Sequence, residues 1–488
     1  MELLYTVSFA PLYTTVAGYS FAQRPEHLPP GAGSVASLAV KACQEESAMP
    51  HSQPHSQPHS QPRSGPRSGP RSLERVITLP QAVALYVTAV LGAGVLLLPG
   101  LAATTAGPAS MLAWAFDALL GAPLALTFAW LGARYPDAGG VATYATRAFG
   151  GRVGAAVGWM YLIGAAIGQI IVPLIGASYI AQPLGLGRNG LFLIAALILA
   201  IPIAANLRGL QVSGRAALAL SALVALLLLA AALVSLPRQR LAAWTPFAPH
   251  GWSAVGVSVV LLLFAFSGWE AVASLGAEFK RPERDIPRSV AISVAIITIL
   301  YLAVAAATIG AKVYGSPALD SVSVALLLSG GLGIGATIIA AVVAVVVCVG
   351  TINAFIAGAA RLGYALARDG AAPGWLATLD QRGTPVAGVL LIGLFAEAGL
   401  LVSWLLGLDA NFWLALPNTL VLLTYILGMA AGARLLAGHA RALAVVSLLL
   451  CLVALPFAGV SLWPALLIAL AALAYRWARA RRKQPQAS

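Results

Sequence analysis

The stretch Leu91-Gly92-Ala93-Gly94-Val95-Leu96-Leu97-Leu98-Pro99-Gly100 lies inside the first apolar segment of membrane length in this chain. Three glycines and one proline interrupt a segment that would otherwise read as an unbroken spanning helix. A backbone that unwinds at membrane depth exposes N–H and C=O groups that hydrocarbon cannot satisfy, so the break must face protein or a water-filled cavity. Two interpretations follow: a binding site made of free backbone groups, or a kink that lets helices pack closely.

The composition is typical of a polytopic membrane protein. Of the 488 residues, 60% are hydrophobic and 9% are charged, and the mean hydropathy is +0.88. Spans of about 20 apolar residues can be drawn twelve times, which predicts an all-α protein with twelve transmembrane helices. We number these spans 1 to 12; they run near residues 80–105, 109–133, 154–181, 190–206, 216–236, 255–277, 287–310, 333–360, 385–406, 411–432, 440–458 and 461–476.

The net charge of +13 follows the predicted topology rather than a nucleic-acid footprint. From residue 63 onward, 23 Lys and Arg fall on one side of the predicted membrane. The other side holds four, namely Arg188, Arg238, Arg240 and Lys312. Because cytoplasmic loops carry the excess of Lys and Arg, this distribution predicts that both termini are cytoplasmic, in a multi-pass protein of the inner (cytoplasmic) membrane.

The first 78 residues differ from the rest of the chain. His-Ser-Gln-Pro repeats begin at His51, His55 and His59, and Arg-Ser-Gly-Pro repeats begin at Arg63 and Arg67. Such low-complexity sequence buries too little apolar surface to offset the entropy of ordering, so we expect a disordered cytoplasmic tail. Met49 opens the repeats, and we expect residues 1–48 to reflect a misassigned start. A membrane domain over residues 79–478 and a basic cytoplasmic tail over 479–488 complete the predicted organisation.

Span 6 carries a second break, Phe264-Ala265-Phe266-Ser267-Gly268-Trp269-Glu270. Interruptions in matching places of two halves, five spans apart, indicate an inverted repeat with its binding site between the two broken helices. Spans 1–5 and 6–10 would form the repeats, and spans 11 and 12 would be appended. This pairing is stronger evidence for a transporter than either break alone.

Three further segments extend the pattern: YPDAGGVATY at residues 135–144, EFKRPERDIPR at 278–288 and RLGYALARDG at 361–370. Together with the two breaks, they resemble the amino acid–polyamine–organocation superfamily of transporters, in the family's order and spacing, over about residues 75–480. Within it, the chain looks closest to bacterial amino-acid permeases, including the branch that exports methionine and branched-chain amino acids. The resemblance implies a LeuT-like 5+5 inverted repeat with broken helices 1 and 6.

The resemblance also implies a substrate site. In this family the substrate carboxylate is held by amides of the break in span 1, which here are those of Gly92, Ala93, Gly94 and Val95. The substrate ammonium is held by the break in span 6, whose counterparts here are Phe264, Phe266, Ser267 and Gly268. Phe264 matches the aromatic residue that closes over bound substrate, although an aromatic residue in an apolar span is also ordinary packing.

Glu270 is the membrane carboxyl group of greatest interest, because an ionisable residue at this depth is costly and usually functional. Two interpretations remain open: proton coupling, or a structural acid that is hydrogen-bonded to unwound backbone. Asp117 and Glu397 also lie inside predicted spans and rank below it. Some family members couple protons through a lysine in span 5, but residues 216–236 contain no Lys or Arg. In span 8, Thr351 and Asn353 are candidates either for lining a path or for bonding helices together.

The sequence therefore predicts secondary active transport of amino acids, neutral and apolar ones in particular, by alternating access and with possible coupling to protons. A proton-independent exchanger or exporter is the alternative within transport. A polytopic membrane enzyme is the alternative outside it, but the clustered catalytic carboxylates or histidines that it needs are missing from the pattern. We expect an amino-acid substrate, the lipid bilayer and protons as partners, and neither enzymatic chemistry, nor a cofactor or metal, nor nucleic acid.

Overall fold

The computed structural model describes residues 77–135, 137, 139–209, 214–270 and 279–482. Nearly all of the predicted tail, residues 1–76, lies outside the described residues, and so does the end of the basic tail, 483–488. Within the described ranges the chain is helical, and Ile77 and Phe279 form an isolated parallel β-bridge.

The helices fall in the order that the sequence predicts. They are α1 Leu79–Val90, α2 Gly94–Ala106, α3 Ser110–Arg134, α4 Val141–Phe149, α5 Gly151–Ala181, α6 Arg188–Leu207, α7 Gly214–Val234, α8 Ser253–Leu262, α9 Pro282–Gly310, α10 Pro317–Asp320, α11 Ser323–Leu332, α12 Ile334–Arg368, α13 Val386–Leu406, α14 Ala410–Leu435, α15 Gly438–Ala454 and α16 Leu462–Arg482. Helices α1 and α2 form span 1, and α8 opens span 6. Spans 2–5 are α3, α5, α6 and α7, and spans 7–12 are α9 and α12–α16.

Eight helical segments of the described residues are long and apolar enough to cross a membrane. Two of these segments, each 41 residues long, run through consecutive helices at Gly94–Arg134 and Gly438–Ala478. Two shorter apolar helices, α1 and α8, are the first halves of the interrupted spans 1 and 6. The all-helical membrane architecture is as predicted, while the count of twelve crossings stays a prediction.

Both interruptions fall where the sequence places them. Helix α1 ends at Val90 and α2 begins at Gly94, so three residues separate the halves of span 1. In span 6 the backbone leaves the helix after Leu262, and helical structure resumes at Trp269. Gly268 has a φ of +119° and lies against the carbonyl oxygen of Ala89, which a Cβ atom would overlap. Only glycine fits this close approach of the two breaks.

Helix α5 lies at the centre of the bundle. In its most apolar 18-residue window, 89% of the residues are buried, against 28% in the segment that holds α15 and α16. Helix α5 packs against α12 and α14, and the outer helices direct leucine side chains away from the protein. Span 3 is therefore placed to form one wall of any cavity between the two breaks.

Candidate functional site

A cavity lies between the breaks of spans 1 and 6. Five spans contribute to its wall: spans 1 and 6 with their breaks, span 3 with α5, span 8 with α12 and span 10 with α14. The lining residues are Ala89, Val90, Gly92, Ala93, Gly94, Tyr161, Gly164, Ala165, Gly168, Gln169, Val172, Phe264, Ser267, Glu270, Thr351, Phe355, Pro417, Asn418 and Val421. The volume that the centres of water molecules can occupy in this cavity is about 60 Å³. On the same measure a single water requires about 10–15 Å³.

The span 1 side of the cavity is made of bare backbone. Gly92, Ala93 and Gly94 line it, and α2 begins at Gly94. The first turn of a helix has N–H groups without partners in the helix and carries about half a positive charge, which suits a carboxylate. A Cβ atom on Gly92 would lie 3.7 Å from Thr351 Oγ1, so α12 adds a hydroxyl beside this backbone.

The span 6 side is held in shape by side chains from other helices. Tyr301 of α9 places its hydroxyl 3.0 Å from Val90 O and 3.2 Å from Ala265 O, so that its single hydrogen is shared between a carbonyl of span 1 and a carbonyl of span 6. Asn418 of α14 donates to Leu261 O at 2.9 Å. Ser267 donates its hydroxyl to Phe264 O at 3.0 Å. Among these acceptors, Phe264 O and Ala265 O belong to the unwound segment, where side chains replace the helical N–H donors.

Glu270 accepts three hydrogen bonds. Tyr161 donates to Oε1 at 2.9 Å, and Tyr425 donates to Oε2 at 2.8 Å. The backbone N–H of Gly268 donates to Oε2 at 3.1 Å. Glu270 is buried, and none of the described Lys or Arg residues forms an ion pair with it.

The structure brings most of the predicted site residues to the cavity wall: Gly92, Ala93, Gly94, Phe264, Ser267 and Glu270. Val95, Phe266 and Gly268 lie behind the wall instead. The ring of Phe266 packs on Trp114 and Tyr301, with ring centroids 6.0 and 5.1 Å away. Phe266 and Gly268 belong to the span 6 break, and Val95 lies in the first turn of α2.

Three other polar residues of the predicted spans lie away from the cavity. Asn353 accepts a hydrogen bond from Asn206 Nδ2 at 2.8 Å, which joins α12 to α6. Asp117 on α3 is buried, and neither of its carboxyl oxygens has a partner among the described residues. Glu397 lines a groove between α6 and α13, beside Trp404.

Spans 3, 8 and 10 supply wall residues that the sequence analysis did not single out, among them Tyr161, Gln169, Phe355 and Asn418. Gln169 and Asn418 carried a usable signal, because an amide side chain inside an apolar span is unusual. Tyr161 and Phe355 carried none, since aromatic residues are common in membrane helices. No group of His, Cys, Asp and Glu in the described part of the chain is placed to hold a metal ion.

Comparison with known proteins identifies the family of this chain. The sequence matches the amino acid permease family over residues 77–487. It is 37% identical to the uncharacterized amino acid permease YecA of Bacillus subtilis (strain 168) over 367 residues, 75% of this chain and 86% of YecA. It is 31% identical to the L-methionine/branched-chain amino acid exporter YjeH of Escherichia coli (strain K12) over 418 residues, 85% of this chain and 98% of YjeH.

A solved structure supports the fold separately. The crystal structure of MhsT in complex with L-phenylalanine superimposes with a TM-score of 0.56 at 16% sequence identity, and the match covers 79% of this chain and 99% of MhsT. At this identity the likeness shows the fold alone, and it confirms the LeuT-like architecture predicted from the paired breaks. The match over residues 77–487 and the identity to YecA and YjeH show that the chain belongs to the amino acid permease family of the amino acid–polyamine–organocation superfamily.

Proposed function

We propose that this permease carries out secondary active transport of neutral, apolar amino acids across the cytoplasmic membrane. Spans 1–5 and 6–10 would alternate access to one site between the two breaks. The observation that carries the proposal is the cavity itself, which has the bare backbone of Gly92–Gly94 on one side and Phe264 and Ser267 on the other. Backbone donors suit a carboxylate, and acceptor groups across the cavity suit an ammonium.

The remaining wall supports an apolar side chain as the third part of the substrate. Val172, Phe264, Phe355 and Val421 line it, and none of the described lining residues is Lys, Arg or His. The one acidic residue on the wall, Glu270, already accepts three hydrogen bonds. Two relatives carry names that agree with this class: YjeH, named above, and the branched-chain amino acid permease BcaP of Bacillus subtilis, which is 27% identical over 318 residues.

A proton-independent exchanger or exporter remains the second candidate. One specific observation favours it: the relative YjeH, which this chain matches over 98% of its length, is named an exporter. The excess of Lys and Arg on one side supports an orientation with both termini in the cytoplasm. With either direction of transport, the substrate site would be the same.

Ligand binding tests the substrate class directly. We expect L-leucine, L-isoleucine, L-valine and L-methionine to raise the melting temperature of the purified full-length protein, and L-lysine and L-glutamate to leave it unchanged. A ligand at 100 times its Kd stabilises the native state by about 2.7 kcal/mol. Liposomes loaded with the same amino acids should then exchange them for labelled substrate. Failure of all twenty amino acids to stabilise the protein and to exchange would refute the proposal.

Substitution of Glu270 by Gln tests proton coupling. Glutamine keeps the shape and most of the hydrogen bonding but cannot titrate. If Glu270 couples protons, the variant should still exchange substrate and should lose accumulation driven by a pH gradient. The matched control is Glu397→Gln, the same change outside the cavity. Gradient-driven accumulation that survives Glu270→Gln would identify Glu270 as a structural acid, while a wild-type protein indifferent to the gradient would favour the exchanger.

A further inference from the structure

Gln169 contributes a hydrogen-bonding atom that the protein leaves unused. The residue lies on α5, lines the cavity and is 2% exposed. Its Nε2 donates to Ala165 O, one turn earlier in the same helix, at 2.9 Å. Its Oε1 is buried and has no hydrogen-bond partner among the described residues. Because buried polar groups in proteins are nearly always paired, this oxygen needs an explanation.

The orientation of the amide is set by its own helix. If oxygen and nitrogen were exchanged, the side-chain oxygen would face Ala165 O, and two acceptors would meet without a hydrogen between them. The nitrogen therefore belongs on Ala165, and the group left for a partner is an acceptor. What it lacks is a donor.

Two backbone acceptors of the span 6 break already have side-chain donors. Phe264 O accepts from Ser267, and Ala265 O accepts from Tyr301. Gly168, the residue before Gln169, faces the Phe264 ring, since a Cβ atom there would lie 3.8 Å from Phe264 Cε2. Gln169 thus lies beside the span 6 break, on the helix that faces it. Its Oε1 adds an acceptor that no described residue uses.

We propose that Gln169 Oε1 accepts a hydrogen bond from the ammonium group of the transported amino acid. This inference rests on the proposed function. An apolar amino acid has its N–H donors on the ammonium group and none on its side chain, so the ammonium is the partner that the acceptor can find. The contact is the same for every side chain. Gln169 therefore contributes to affinity for amino acids as a class rather than to the choice among them.

The test replaces Gln169 by Leu, which keeps the bulk and removes the acceptor. We expect apparent affinities for L-leucine, L-valine and L-methionine to fall together by roughly 10- to 100-fold, with their ratios preserved. The matched control is Gln182→Leu, because Gln182 ends the same helix on an exposed contact with Ser321 and lies outside the cavity. This control should bind like the wild type.

A second variant separates a lost acceptor from disturbed packing. Gln169→Glu retains an acceptor oxygen in either protonation state, and its neutral form can also donate to Ala165 O. We expect it to bind within about threefold of the wild type. If Gln169→Leu does not fold, Gln169→Met removes the amide at nearly the same length.

The outcomes are distinct. Unchanged affinity in Gln169→Leu, or affinity ratios that change from one side chain to another, would overturn the ammonium contact. Equal losses in Gln169→Leu and Gln169→Glu would also overturn it, since packing would then be the cause. A wild-type protein that binds no amino acid would instead refute the proposed function.

Discussion

The two broken spans differ in what their unwound segments present. In span 1 the break is three residues long, between Val90 and Gly94, and its cavity side consists of glycine and alanine. In span 6 the break covers residues 263–268 and carries two phenylalanines and a serine. Tyr301 from span 7 and its own Ser267 bond its backbone, and Asn418 from span 10 bonds Leu261 O at the end of α8, just before the break.

The difference indicates a division of roles. In span 1, Gly92 N–H donates to Val90 O at 2.7 Å, so the N–H groups left for an anion are those at the start of α2, from Gly94 onward. In span 6, the carbonyl groups of Phe264 and Ala265 are bonded by side chains, one of them from span 7, so the shape of this break depends on a neighbouring span. The two broken spans are also in direct contact, because Gly268 lies on Ala89 O and the Tyr301 hydroxyl lies within hydrogen-bond distance of Val90 O and Ala265 O.

Gly94→Leu tests the role of the span 1 backbone, and it is the substitution from which we expect the largest effect on substrate binding. A Cβ atom at Gly94 would lie 3.0 Å from Phe264 Cδ1 and 3.3 Å from Ala265 Cα, and the rest of a leucine would fill the cavity. We expect substrate binding to weaken by more than about 100-fold while the protein still inserts and folds. Thermal-shift titration with L-leucine measures the effect.

The control for this variant is Gly92→Ala in the same segment, because its methyl group would meet Thr351 at an ordinary contact distance of 3.7 Å. It should bind within a few-fold of the wild type. Normal affinity in Gly94→Leu would remove the span 1 backbone from the substrate site.

The second prediction concerns the link between the breaks. Tyr301→Phe removes the hydroxyl that serves Val90 O and Ala265 O, and we expect it to lower the free energy of unfolding by about 1–3 kcal/mol. Tyr86→Phe is the matched control, because Tyr86 is equally buried and its hydroxyl has no partner among the described residues. Denaturation in detergent measures both. Equal effects of the two substitutions would mean that the shared hydroxyl does not hold the breaks together.

The smallest expected effect is that of Ser267→Ala, which removes one local hydrogen bond inside the span 6 break. We expect a loss of about 0.5–1.5 kcal/mol in stability, together with a few-fold loss of substrate affinity. Ser235→Ala removes a similar local bond, to Ala232 O at 2.8 Å, at the end of α7. That control should lose stability without losing affinity. An affinity loss in both variants would show that stability alone explains the effect.

The positions of both breaks were predictable because glycine acts on the backbone locally and weakens a helix wherever the rest of the chain lies. Pro99 and Gly100, which the sequence analysis counted among the interruptions of span 1, lie inside α2 and do not break it. The same holds for the spans themselves, since hydropathy over about 20 residues depends on neighbours in sequence. The family resemblance also rested on local motifs, and the identity to YecA and YjeH confirmed it.

The partners of Glu270 were not predictable. Tyr161 and Tyr425 lie 109 and 155 residues away in sequence, and nothing in either segment marks its tyrosine as a donor to a carboxylate. The sequence also left open which way the Asn353 amide points. In the structure it accepts a hydrogen bond from Asn206 instead of lining the cavity. The side of a fully apolar helix that faces a cavity is decided by how the helices rotate against each other.

By itself, the sequence determined that this is a membrane protein, the order of its spans, its family and the positions of the breaks in spans 1 and 6. Only the tertiary structure decided which backbone groups at those sites stay free, which side chains engage the others, and that Gln169 keeps an unused oxygen beside the cavity. The physical reason is range. Helix formation and hydropathy are properties of adjacent residues, whereas a hydrogen-bond partner is supplied by whichever distant helix packs against the group.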